Sequence, residues 1–149
     1  MRKNNRRAQK VGKYASKFEV EVADVLRRLE IPFEYEAESF EWHEQIPNAY
    51  CGRCAYGTCF ADRSYTPDFF LPEHDVIIEV KGIFTAKDRK IAQAMAKEHG
   101  HLNFAYLFYF DNKLSRKSKT RYTDWCARQG LECGVRGSMD KSIKAWCNL

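Results

Sequence analysis

No stretch of the 149-residue chain is apolar for long enough to span a bilayer. The basic N-terminus also lacks the apolar core of a signal peptide, so a soluble protein of the cytosol is expected. Histidine is scarce, with four residues, and His99 and His101 flank one helix end. A histidine-centred metal site would need more convergent ligands than that. Neither an internal repeat nor a linker divides the chain, and its length suits one domain with a real core. Acidic residues are missing altogether before Glu19.

That last absence gives the charge its shape. Arg2, Lys3, Arg6, Arg7, Lys10, Lys13 and Lys17 stand in the acid-free segment. They are seven of the 25 basic residues, and the 18 others face 20 acids. The excess positive charge therefore belongs to the N-terminal segment, six of the seven in an arm at residues 1–13 attached to a balanced domain at 14–149. An arm of this kind suits a polyanion such as nucleic acid. A second basic cluster, Lys113, Arg116, Lys117, Lys119 and Arg121, is expected on a loop.

Cysteine, by contrast, is plentiful. Six thiols in a reducing compartment argue against a disulfide framework. Cys51, Cys54 and Cys59 have a spacing compatible with a zinc knuckle, which would stiffen a long loop at about 43–64. His43 is the nearest candidate for a fourth ligand, ahead of His74 or Asp62. Three unrelated thiols in a loop remain the alternative. Cys126 is expected to pack as a small apolar residue near Trp125.

Apolar periodicity supplies the elements. Phe18, Val22, Val25, Leu26 and Leu29 form one stripe of a helix over 14–30, ended by Pro32. Phe33-Glu34-Tyr35-Glu36 alternates as a half-buried strand does. Val76-Ile77-Ile78-Glu79-Val80 reads as a buried strand between Pro72 and Gly82. Thr85 caps a helix over 86–99, with Asp88 three residues on and Gly100 behind it. A strand over 102–110 and a short helix over 122–129 follow. The order predicts an α/β fold in which helices flank a mixed sheet.

One strand carries chemistry. The two-residue period of a strand puts Glu79 and Lys81 on one face. A carboxylate inside an otherwise greasy strand needs a partner, because unpaired burial is costly. Lys81 alone would serve, as an ordinary ion pair. A divalent cation would serve too, with Asp68 of Pro67-Asp68 as second carboxylate and the Val80 carbonyl as a further oxygen. Mg²⁺ favours such oxygen donors together with phosphate oxygens. The metal would polarise a phosphodiester and acidify bound water, and Lys81 would orient that water or neutralise developing charge. Glu19, beside the stripe of the first helix, reads from pattern alone as a solvated surface acid.

These stretches together resemble the phage endonuclease I family of junction-resolving nucleases. The resemblance is carried by Lys10-Val11-Gly12, Phe33-Glu34-Tyr35-Glu36 and Tyr65-Thr66-Pro67-Asp68-Phe69. Glu79-Val80-Lys81-Gly82 and Asp88-Arg89-Lys90 add to it, and it runs from about residue 10 to the final helix near Trp146. It implies a restriction-endonuclease-like core, dependence on Mg²⁺ or Mn²⁺, and hydrolysis of branched DNA such as four-way (Holliday) junctions in the cytoplasm of a phage-infected cell. Asp68, Glu79 and Lys81 match the family's catalytic positions, Glu19 its helix carboxylate, and Glu34 a further functional acid. It also implies an intertwined homodimer in which the helix carboxylate completes the other subunit's site, with the basic arm gripping backbone phosphates. The segment between Glu36 and Tyr65, with its cysteines, is longer than the family pattern. Two other readings remain: a zinc-stiffened nucleic-acid-binding module without catalysis, and a nuclease of mismatched, nicked or linear duplex, including restriction-type sites.

Overall fold

The computed structural model describes residues 13–46 and 59–149. Five of the arm's cations (Arg2, Lys3, Arg6, Arg7 and Lys10) and the thiols of Cys51 and Cys54 lie outside the described residues. Lys13 and Lys17 lie within them, and both are exposed. No helix of the described chain is long and apolar enough to cross a membrane.

Helix α1 spans Lys17–Arg28 and buries Phe18, Val22, Val25 and Leu26, the stripe that the spacing predicts. Ser16 is its N-cap and accepts a hydrogen bond from the Glu19 N–H. A short strand β1 (Glu34–Tyr35) follows, then β2 (Phe40–Ile46), β3 (Cys59–Tyr65), β4 (Phe69–Leu71) and β5 (Val76–Lys81). Helix α2 (Ala86–Glu98) starts on a capping box made by Thr85 and Asp88. Strand β6 (Asn103–Phe108), α3 (Tyr122–Arg128), β7 (Glu132–Val135) and α4 (Met139–Trp146) complete the order.

Five strands form one mixed sheet in the order β1-β4-β5-β6-β7. The β1–β4 and β4–β5 pairs are antiparallel, whereas β5–β6 and β6–β7 are parallel. Strand β5 sits centrally and is buried on both faces, which is why its sequence is almost unbroken Val and Ile. Val76 and Ile78 pack with α1 and with Ile143 of α4 on one face. Ile77 packs with Met95 of α2, Cys126 of α3 and Trp42 of β2 on the other. The expectation of helices flanking a mixed sheet is met.

Two differences from the sequence reading concern the chain's middle and end. The expected loop at 43–64 is strand at both of its ends. Residues 43–46 and 59–64 belong to β2 and β3, which pair antiparallel from Phe40↔Tyr65 to Ile46↔Cys59. Phe40, Trp42 and Ile46 alternate as strand residues should, but the cysteines and glycines that follow obscured the pattern. This hairpin is separate from the main sheet and rests on α2 with Trp42 buried beneath it. Strand β7 is the other surprise, because Glu-Cys-Gly-Val carries little strand signal. It is placed by α4: a Cβ on Gly134 would stand 2.5 Å from Ser142 Oγ, so glycine permits the close approach.

Candidate active site

Among the described residues only two charged side chains are buried, Glu19 at 4% exposure and Glu79 at 6%. Both belong to one locality. The β4–β5 register pairs Phe70 with Ile77 and Phe69 with Ile78, so Asp68 falls opposite Glu79 just past the paired strand. The Asp68 N–H donates to Glu79 Oε2 at 3.2 Å. The Val80 N–H donates to Asp68 Oδ2 at 2.8 Å. Glu79 also meets Lys81, whose Nζ lies 3.0 Å from Glu79 Oε1. The shared face of Glu79 and Lys81 is what the two-residue period requires.

Helix α1 brings Glu19 to the same place. Its Oε1 accepts from the Tyr35 hydroxyl at 2.9 Å, and its Oε2 accepts from Ser16 Oγ at 2.8 Å. The helix cap and β1 therefore hold this carboxylate from two sides. Carboxylate oxygens of Glu19, Glu36 and Asp68 all lie within 4.8 Å of one another. Asp68 thus stands between two groups, with Glu19 and Glu36 on one side and Glu79 on the other.

The electrostatics follow from the crowding. Burial, then the charge of Glu79 and of Glu19, push the Asp68 carboxyl up to about 9. Burial likewise raises Glu79, against the pull of Lys81 and a hydrogen bond with Tyr65. Burial alone would depress the Lys81 ammonium, but Glu79 and Asp88 more than offset that and hold it charged. Asp88 Oδ1 is 3.2 Å from Lys81 Nζ, and its other oxygen accepts from the Thr85 N–H at 2.9 Å.

These residues fit a hard divalent cation. The donors are all oxygen, three acids converge, and the proton forced onto Asp68 is what a cation would replace. Glu19, Asp68, Glu79 and Lys81 are brought together. Val80 lies among them, its N–H engaged by Asp68. Glu34 is not: it is exposed on β1, opposite Phe70. Glu36 takes the place beside Asp68 instead, its N–H donating to the Asp68 carbonyl at 2.9 Å. A φ of 50° at Glu36 breaks the strand there, and the alternation of residues 33–36 gave no sign of that turn. For Glu19 a signal existed: Ser16 and Glu19 have the S-x-x-E spacing of a capping box, which draws a glutamate back to the helix start.

Of the zinc candidates, Cys51 and Cys54 lie outside the described residues. His43 lies across the hairpin from Asp62 and its ring is held by Glu98 of α2. Cys59 pairs with Ile46, three residues from His43, so strand alternation puts the two on opposite faces. Within the single chain described, Glu19 meets Asp68.

The sequence profile of phage endonuclease I matches residues 1–136. The endonuclease I of Escherichia phage T7 is 31% identical over 125 residues, covering 83% of this chain and 74% of that protein. Endodeoxyribonuclease 1 of Enterobacteria phage T3 is 36% identical over 72 residues, covering 48% of this chain and 47% of that protein. With a profile match across nearly the whole chain, and an acidic centre at the positions that carried the resemblance, the chain belongs to the phage endonuclease I family.

Proposed function

We propose that this protein is a metal-dependent, structure-selective endodeoxyribonuclease that hydrolyses phosphodiester bonds in branched DNA, four-way junctions included. The observation that carries the reading is the convergence of two buried glutamates, Glu19 and Glu79, on Asp68, with an ammonium beside them. Buried like charges without a cation are unfavourable, and structural need alone does not explain them. The family relationship supports the nuclease class.

In this reading Asp68, Glu79 and Glu19 hold Mg²⁺ or Mn²⁺, with the Val80 carbonyl as a further oxygen. The ion would polarise the scissile phosphate and lower the pKa of a bound water. Lys81, kept charged by Glu79 and Asp88, offsets negative charge that builds on the phosphate. Ser16 and Tyr35 keep the Glu19 carboxylate aimed at Asp68. Asp68 must give up its proton before it can ligate. A restriction-endonuclease-like core fits the mixed sheet, whose β4 edge and β5 carry the acids. A homodimer suits the task, because resolving a junction needs two coordinated cuts.

The test is cleavage of a four-way junction and of the matching linear duplex, each with and without Mg²⁺. Metal-dependent cutting of the junction alone is expected. Preference for linear duplex would remove the branched-DNA reading, and no cutting of either would leave a binding module.

A further inference from the structure

The hairpin does more than cover α2. Between them runs a groove that begins at the catalytic centre and leads away from it. Its first part, a cavity of about 250 Å³, is lined by Tyr65, Lys81, Asp88 and Tyr106. Its second, of about 510 Å³, is lined by Trp42, Glu44, Arg63 and Lys90. Lys87 and Ile91 of α2 line both, so the two cavities adjoin.

Two features of this groove ask for an anionic, oxygen-bearing occupant. Four cations, Lys81, Lys87, Lys90 and Arg63, stand along it against two acids, Asp88 and Glu44. Glu44 takes one bond from each of its cations, Arg63 Nε at 3.0 Å and Lys90 Nζ at 3.1 Å. A lysine has three N–H donors and an arginine five, so most of their capacity is left over. The second feature is at the floor. Trp42 is 3% exposed, and its buried indole N–H has no acceptor among the described residues. A buried donor left unmade is costly, and an indole N–H can only donate. An apolar ligand would leave that cost in place, and a phosphate oxygen relieves it once the side chains over the N–H move aside.

We infer that the groove between α2 and the β2–β3 hairpin binds the sugar-phosphate backbone of the DNA strand that continues from the bond being cut. This rests on the nuclease reading for the identity of the polyanion. The tyrosine, tryptophan and isoleucine walls exclude water and strengthen each phosphate contact. Lys87 joins the two cavities, so it contacts the strand as it leaves Lys81. The hairpin's length then has a purpose: it forms one wall of a phosphate track.

The inference is tested by binding rather than by cutting. Affinity for a fluorescently labelled DNA duplex is measured by anisotropy in EDTA, over a range of salt. Lys87→Gln, which breaks no ion pair among the described residues, and the Lys87→Gln/Lys90→Gln double variant are compared with wild type. The slope of log affinity against log salt should fall by about 0.9 for each phosphate contact removed, about two in the double variant. Lys144→Gln, on the exposed side of α4, should leave the slope unchanged. Glu44→Gln distinguishes a phosphate track from a mere pin between hairpin and helix. It cuts the Lys90–Glu44 pair that Lys90→Gln cuts, and the Arg63–Glu44 pair besides, yet should tighten binding. An unchanged slope in both lysine variants overturns the inference. So does an equal fall in Lys144→Gln, or weaker binding in Glu44→Gln. Because no metal is present, the two readings fail separately. A wild type that binds DNA but never cuts it removes the nuclease, and a cutting enzyme whose slope ignores Lys87 and Lys90 removes the groove.

Discussion

Asp68 and Glu79 hold each other in place through the backbone: the Asp68 N–H donates to the Glu79 carboxylate, and the N–H next after Glu79, that of Val80, donates to the Asp68 carboxylate. Neither acid can turn away without orphaning a backbone donor in a part-buried position. The antiparallel β4–β5 register builds this exchange, so the acids are aimed before any cation or DNA arrives.

Glu79→Gln keeps the shape and the hydrogen-bond acceptor but loses the charge at the proposed metal. Junction binding should stay within about twofold of wild type. Cleavage should fall on the order of a hundredfold or more, as for the loss of a group that stabilises developing charge. A gel-shift titration and a single-turnover time course on one junction measure both. Wild-type cleavage in this variant would remove Glu79 from the mechanism.

The Asp68 carboxyl makes the metal-free protein sensitive to pH. Folding raises its pKa from the ordinary 3.8 to about 9, so the native state keeps a proton that the unfolded chain releases. Stability from this group is fully present below the ordinary value and is lost as pH climbs toward 9. In EDTA, Tm should therefore decline between pH 5 and pH 9. Asp68→Asn, which needs no proton, should flatten that decline and raise Tm at pH 8 by several degrees, since about 1 kcal/mol moves Tm by 2–4 °C at this size. Wild type should regain stability in excess Mg²⁺, by about 2.7 kcal/mol at a hundred times Kd, and the variant should not. Scanning fluorimetry across pH, with and without Mg²⁺, reads all three outcomes.

The basic arm should act on affinity and its salt dependence, not on chemistry. Deleting residues 1–13 removes Arg2, Lys3, Arg6, Arg7, Lys10 and Lys13. If all six touch phosphate, the salt slope should drop by about five. Single-turnover cleavage at saturating protein should change little. An unchanged slope would show that the arm does not grip DNA.

Gly134 tests the packing of β7 against α4. A methyl group there would meet Ser142 Oγ at 2.5 Å, Ser142 Cβ at 2.8 Å and Leu107 Cδ2 at 3.2 Å. Gly134→Ala should cost about 1–3 kcal/mol as overpacking, visible as a lower denaturation midpoint in urea. On β7, two strands away from β5, it should leave the DNA-binding salt slope intact. A midpoint equal to wild type would mean that α4 shifts freely on the sheet.

Local chemistry made much of this legible in the chain. The stripe on α1, the greasy β5 and the Thr85–Asp88 cap are short-range patterns, so each survives in one dimension. The same holds for Glu79 and Lys81, since a period of two settles their common face. Distance along the chain hid the rest. Glu19 looks like a surface acid until α1 docks on the sheet and buries it beside Tyr35. Glu36 enters the cluster through a left-handed turn, and Glu34, its near neighbour, stays outside. The hairpin, and with it the groove along α2, exists because residues far apart in the chain, from Ile46 and Cys59 to Phe40 and Tyr65, pair across a stretch rich in cysteine and glycine. Residue spacing carries information over one helical turn or one strand. Where acids from α1, the end of β1 and the start of β4 meet is set by packing between elements, which burial of the shared apolar core dictates and no local pattern records.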